Sequence, residues 1–171
     1  MAMKRGIIKM LRNKTPVAIL GVLLICFVFI SCDHKEDYYR FCEIKDGKWG
    51  QHDTLIFDID SAHIELNTVY NIAIEITNNN DYPYRNFWCF VEDNISNDSI
   101  VDRTNIELIL ADEFGKWKGS GFGALYQSST QLKEQISFAE KRNYRICILQ
   151  GMRDEPLAGI EKVGIKIFRD E

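Results

Sequence analysis

Cys32 is the residue whose surroundings most narrowly define a chemistry. It closes the stretch Phe29-Ile30-Ser31-Cys32, behind an apolar run over residues 17–30 (VAILGVLLICFVFI) and a leader carrying Lys4, Arg5, Lys9, Arg12 and Lys14 with no acid. A signal peptidase needs a small side chain before its cut, and Cys32 directly after it offers a free thiol that could carry lipid. The run holds about 14 residues, short of the roughly 20 that span a bilayer as a helix, so it reads as a targeting core. An uncleaved anchor and an ordinary signal cut near Ser31 are the alternative readings. All three place the rest of the chain outside the cytoplasm. Lipid on Cys32 would tie it to a membrane, at about 0.8 kcal/mol per buried methylene.

Elsewhere the residues that carry chemistry do not assemble into a reactive pattern. The three histidines are His34, His52 and His63. His63-Ile64-Glu65 has the letters of a zinc pair but lacks a further Cys or His at ligand spacing. Asp58-Ile59-Asp60 lacks the third acid and glycine of a calcium loop. No Gly-x-Ser-x-Gly elbow is present, and no Ser, His and Asp stand in an order that argues for a triad. Gly119-Ser120-Gly121-Phe122-Gly123 could cradle a phosphate only if it opened a helix, and Ala124 to Ser129 show no helical period. The sequence therefore points to no catalytic residue, metal or cofactor. With Cys26 in the leader and Cys32 lipidated, Cys42, Cys89 and Cys147 remain; three cannot all pair, and buried free thiols are favoured over a Cys89–Cys147 bridge.

Charge narrows the partners. All 25 acids follow residue 31 with 16 of the 21 basic residues, so the mature chain carries 16 − 25 = −9 with histidine neutral. That surface repels phosphate backbones, which argues against nucleic acid.

The elements that must position any site are strands. Period-two alternation predicts strands over residues 53–60, 69–77, 85–93, 100–110, 144–150 and 163–168, with turn formers between them. The 85–93 strand is apolar on both faces and reads as central and covered twice. Residues 131–140 fit a short helix through Leu132, Ile136 and Ala139, or a strand through Ile136 and Phe138; strand is favoured. Seven or eight short strands at intervals near ten residues predict an all-β fold, an antiparallel β-sandwich of immunoglobulin-like or jelly-roll-like type, after an N-terminal signal helix. The divisions expected are a signal peptide over 1–31, a lipidated Cys32 with a polar tether over 32–47, and a sandwich domain over 48–171.

Phe29 to Cys32 resembles the lipobox of bacterial lipoproteins, departing from it in Phe29 and Ile30, where Leu and a small residue are preferred. Asp33-His34-Lys35-Glu36-Asp37 resembles the export signal of surface lipoproteins in Bacteroidota. Three triplets, Asp53-Thr54-Leu55, Asp60-Ser61-Ala62 and Asp98-Ser99-Ile100, match the O-glycosylation pattern of the same phylum at Thr54, Ser61 and Ser99.

A wider likeness runs from Trp49 to Phe168. Asp53-Thr54-Leu55-Ile56-Phe57, Tyr70-Asn71-Ile72, Asp81-Tyr82-Pro83-Tyr84-Arg85-Asn86-Phe87, Gly115-Lys116-Trp117-Lys118-Gly119-Ser120-Gly121, Gln150-Gly151-Met152-Arg153 and Leu157 to Gly164 together resemble the gliding-motility-associated lipoprotein GldH family of Bacteroidota. The resemblance implies a lipidated protein of the outer envelope, needed in motile members for gliding and linked to type IX secretion, with no enzymatic activity and with envelope proteins as partners. Tyr84, Arg85, Trp117, Met152 and Arg153 are the candidate partner surface, since these residue types are favoured at interfaces. The competing reading is that they pin loops to the sandwich. A glycan-binding module is the second functional reading: Trp117 and Tyr126 would stack on sugar rings if they lay exposed on a flat strip.

Overall fold

The computed structural model describes residues 36–98 and 100–169; the signal segment, Cys32 and Ser99 lie outside the described residues. In chain order the strands are β1 (Glu36–Glu43), β2 (Lys48–Trp49), β3 (Leu55–Ile59), β4 (Val69–Asn78), β5 (Asn86–Asn97), β6 (Ile100–Ile109), β7 (Ser120–Phe122), β8 (Leu125–Ser137), β9 (Tyr144–Gln150), β10 (Leu157–Ala158) and β11 (Ile160–Arg169). They form a five-stranded sheet in the order β1-β11-β4-β8-β7, a four-stranded sheet β3-β9-β5-β6, and a small β10-β2 pair. Every pairing is antiparallel. The fold is the expected all-β sandwich.

Isoleucine alternation builds the core. Ile72, Ile74 and Ile76 of β4 and Ile165 and Ile167 of β11 face Ile146 and Ile148 of β9, Phe57 and Ile59 of β3, and Phe87 and Val91 of β5, all essentially without exposure. Burying each such side chain contributes about 1.5–3 kcal/mol. The strand covered on both faces is β4, buried from Tyr70 to Asn78. Its outward Glu75 is held by Tyr39, whose hydroxyl donates at 2.7 Å, and by Gln127, whose amide donates at 2.6 Å, so the carboxylate is buried with partners. In β5, by contrast, the outward Trp88 is 41% exposed, so that strand is central in its sheet but covered on one face only.

Residues 36–47, read as part of a polar tether, are instead folded. β1 pairs along its length with β11 and buries Tyr38; a 3-10 turn over Lys45–Gly47 follows, next to buried Ile44. Charged letters mask the strand: Arg40 and Glu43 stay in solvent at this edge position, and Asp37 is held by Arg169 at 2.6 Å. The ambiguous 131–140 stretch is the end of β8. Two register breaks, opposite Tyr70/Ile72 and Ile72/Ala73, insert extra residues, and Gln135 takes a left-handed φ of 49° with its N–H donating to Asn71 Oδ1 at 3.0 Å. These bulges stretch the apolar spacing to the four positions from Leu132 to Ile136, which imitates a helix.

Candidate partner surface

Four loops meet at the end of the sandwich opposite the start of β1. The 44–54 and 151–156 loops are joined by Gln51, whose side-chain amide donates to Met152 O at 3.1 Å and Arg153 O at 3.3 Å, and whose backbone N–H donates to Glu155 at 2.5 Å. The 79–85 loop joins them: Tyr84 Oη donates to Asp154 Oδ1 at 2.8 Å, and Asn79 N–H donates to Gly159 O at 2.9 Å. The 110–119 loop is tied in through Trp117 Nε1, which donates to Asn80 Oδ1 at 3.3 Å. An aromatic chain runs beneath them, from Trp49 stacked on Phe87 (5.8 Å) through Tyr82 (6.5 Å) to Trp117 (6.3 Å) and Tyr126 (5.8 Å). Pro83 sets the rigid corner that puts Tyr82 into this chain. Burial raises the Tyr82 phenol well above its ordinary range, and its hydroxyl donates to Asn86 O at 2.7 Å. The hydrogen bond to Asp154 is the main cause raising the Tyr84 phenol.

The structure thus brings Tyr84, Arg85, Trp117, Met152 and Arg153 to one end, but not in one role. Tyr84, Trp117 and Met152 are half-buried and pack against the core. Met152 Sδ also accepts the Trp88 N–H at 3.3 Å. Arg85 and Arg153 are exposed. The Trp117 and Tyr126 rings are both half-buried and tilt at 35° against one another, so they do not form an open strip.

The most exposed apolar residues of this end are Phe114 at 87%, which sequence reasoning missed, and Phe122 at 96%, which the sequence marks only as an aromatic neighbour of the Gly-rich connection, packed over the sandwich edge or part of a binding surface. Each sits on a rigid tip. Asp112 Oδ1 accepts the N–H groups of Phe114 and Lys116, both at 2.9 Å, and Gly115 supplies the positive φ of 82° that closes the turn. Phe122 ends β7 in a hairpin where Gly121 packs against the opposite strand: a Cβ there would lie 1.8 Å from Leu125 O. Leu125, 44% exposed, sits opposite Phe122, and Lys116 and Lys118 are exposed nearby in sequence. A large apolar side chain bracketed by turn formers is the signal that would have found Phe114.

The other candidate sites are scattered. Thr54 is exposed just before β3. Ser61 opens the 3-10 turn Ser61–His63, where Asp60 Oδ1 accepts the Ala62 N–H at 2.8 Å. His63 Nδ1 lies 2.7 Å from Asp37 O. Cys42, Cys89 and Cys147 are free thiols. Cys89 points into the core and Cys147 lies on the outward face, opposite exposed Ile56, so the two cannot bridge. Burial pushes the Cys89 thiol up to about 12, far from a reactive thiolate. Among the described residues no three His, Cys, Asp or Glu gather to hold a metal ion, and no helix is long and apolar enough to cross a membrane.

Residues 36–167, from the first residue of β1 to near the end of β11, match the GldH lipoprotein family. The chain belongs to the GldH lipoprotein family. The match begins with β1, in agreement with a folded domain that starts there. One relative, the gliding motility lipoprotein GldH homolog of Christiangramia forsetii, is 31% identical over 165 residues, covering 92% of this chain and 99% of that protein. The gliding motility lipoprotein GldH of Flavobacterium johnsoniae is 28% identical over 156 residues, covering 86% and 94%. Among solved structures, the crystal structure of dimeric latent PorU from Porphyromonas gingivalis aligns with 77% of this chain and 12% of its own at 9% identity and a TM-score of 0.27, too slight a likeness to bear on fold or function.

Proposed function

We propose that this GldH-family protein is a non-enzymatic docking component of the gliding or type IX secretion machinery, held at the outer membrane by lipid on Cys32. The observation that carries the reading is the pair of rigid tips presenting Phe114 and Phe122 to solvent, on an end whose loops are cross-tied and need no ordering when a protein binds. Exposed aromatics on a preformed surface suit an apolar pocket on an envelope protein. Arg85 and Arg153 extend that surface, while Tyr84, Trp117 and Met152 hold it in shape. Thr54, exposed beside the same end, is the O-glycosylation triplet best placed to carry a sugar. A photo-crosslinking residue at position 114 or 122 in living cells is expected to capture one envelope protein, and the same probe at exposed Val69, at the opposite end, is expected not to. Equal capture from both positions would defeat the docking reading.

A further inference from the structure

We propose that β6 is a self-association edge, pairing antiparallel with β6 of a second copy about a two-fold axis through Asn105. Among the described residues β6 pairs with β5 on one side and with no strand on the other, up to Leu110, whose carbonyl accepts the Lys118 N–H at 2.8 Å. An open edge invites a further strand unless something blunts it.

The other edges are blunted. β8, beyond the residues that β7 covers, is bulged twice, with left-handed Gln135 and with Lys133 turned to the inward register opposite Ile72. β1 is irregular between Glu36 and Tyr38, and His63 Nδ1 occupies the Asp37 carbonyl at 2.7 Å. β3 has five residues. β6 carries neither Gly nor Pro and holds unbroken register with β5 from Asp102 to Ile109.

What commits this edge to a copy of itself is the order of its outward side chains: Val101, Arg103, Asn105, Glu107 and Ile109. All five are exposed, Val101 at 60% and Ile109 at 48%. Read against itself in reverse about Asn105, the series sets Val101 opposite Ile109, Arg103 opposite Glu107, and Asn105 opposite Asn105. Symmetry makes the first two pairings twice. Apolar, opposite-charge and amide pairs are the cross-strand combinations that stabilise antiparallel strands, and a shift of the centre by one residue either way, to Thr104 or Ile106, ends this matching. On the inward side Asp102 meets Leu108 and Thr104 meets Ile106, so no like charges face each other. Arg103 already bonds Glu92 at 3.3 Å over the Phe90 ring, and in the pair it would bridge Glu92 and Glu107 of the second copy. Two four-stranded sheets then become one continuous sheet through an isologous contact. Antiparallel pairing inverts one copy along the strand, so two copies lipidated on Cys32 share a bilayer only with β6 lying along its plane. That orientation rests on the anchor proposed above; the pairing does not.

The test uses the full-length protein in detergent, weighed by sedimentation equilibrium. Wild type is expected at about twice the protomer mass, with Arg103→Glu and Glu107→Arg each self-associating at least about tenfold more weakly, because both symmetric pairs become repulsive. Mixing the two variants in equal amounts restores both attractive pairs in a heterodimer, so dimer mass is expected to return. Asn105→Cys is expected to form a disulfide-linked dimer that wild type does not, since residues facing across the axis lie within bridging distance. Unchanged melting temperatures separate lost pairing from lost folding. A monomeric wild type, single variants that associate as well as wild type, or a mixture that stays monomeric would each overturn the proposal.

Discussion

Lys133 Nζ lies 3.0 Å from Asp93 Oδ2, an ion pair that joins the two sheets across the sandwich. Asp93 is 2% exposed, and its other oxygen accepts the Ile95 N–H at 3.1 Å. The bulges of β8 turn Lys133 inward to meet it. Removing the lysine leaves a buried carboxylate with no counter-charge. Lys133→Met is therefore expected to destabilise by about 3–5 kcal/mol, while the double change Asp93→Leu with Lys133→Met comes back to within about 1 kcal/mol of wild type. Urea unfolding of the three proteins checks this, and a double variant as unstable as the single one would contradict it.

Gly159 combines a left-handed backbone with a backbone clash at the loop end. Its φ is +85°, a Cβ would come within 2.2 Å of Tyr82 N, and its N–H and C=O bond Gly47 and Asn79, each at 2.9 Å. The clash is with backbone, which cannot swing aside. Gly159→Ala is expected to cost more than about 2 kcal/mol and to lower the melting temperature by several degrees, whereas Gly115→Ala, with nothing within 4 Å of its Cβ, pays only for its backbone conformation. Equal losses from the two would remove the clash as the cause.

Alkaline stability should follow the thiols. Burial lifts Cys89 from 9.0 to about 12, and lifts Cys42 and Cys147 in the same direction. The unfolded chain releases these protons at lower pH than the folded one, so the contribution is complete below pH 9 and is lost as pH climbs toward 12. For Cys89 the slope within that window is about 1.4 kcal/mol per pH unit. Cys89→Ala, at its own packing cost, is expected to show a shallower fall between pH 9 and 11 in urea titrations; an unchanged slope would mean the thiol ionises freely in the fold.

The lipid anchor has a direct assay. Cys32→Ala is expected to abolish incorporation of labelled fatty acid and to release the domain from the membrane fraction. Labelling that persists in the variant would remove Cys32 as the acceptor.

By itself the sequence determined the sandwich, because alternation at Ile72, Ile74 and Ile76 or at Phe87, Cys89 and Val91 states which face is buried without reference to any neighbour. It also determined the family, whose blocks from Trp49 onward are legible as strings. What depends on neighbours was not legible. The charged letters of β1 concealed a strand whose partner, β11, lies at the other end of the chain. The bulges of β8 imitated a helix, because register is a relation between two strands. Trp88 reads as core until the outward face of its sheet proves uncovered. At the loop end, the interface-prone types Tyr84, Trp117 and Met152 were found, but only the packing decided that they brace the surface while Phe114 and Phe122 present it. Burial is a property of the assembled loops, and their ties, Tyr84 to Asp154 and Trp117 to Asn80, join residues 70 and 37 positions apart.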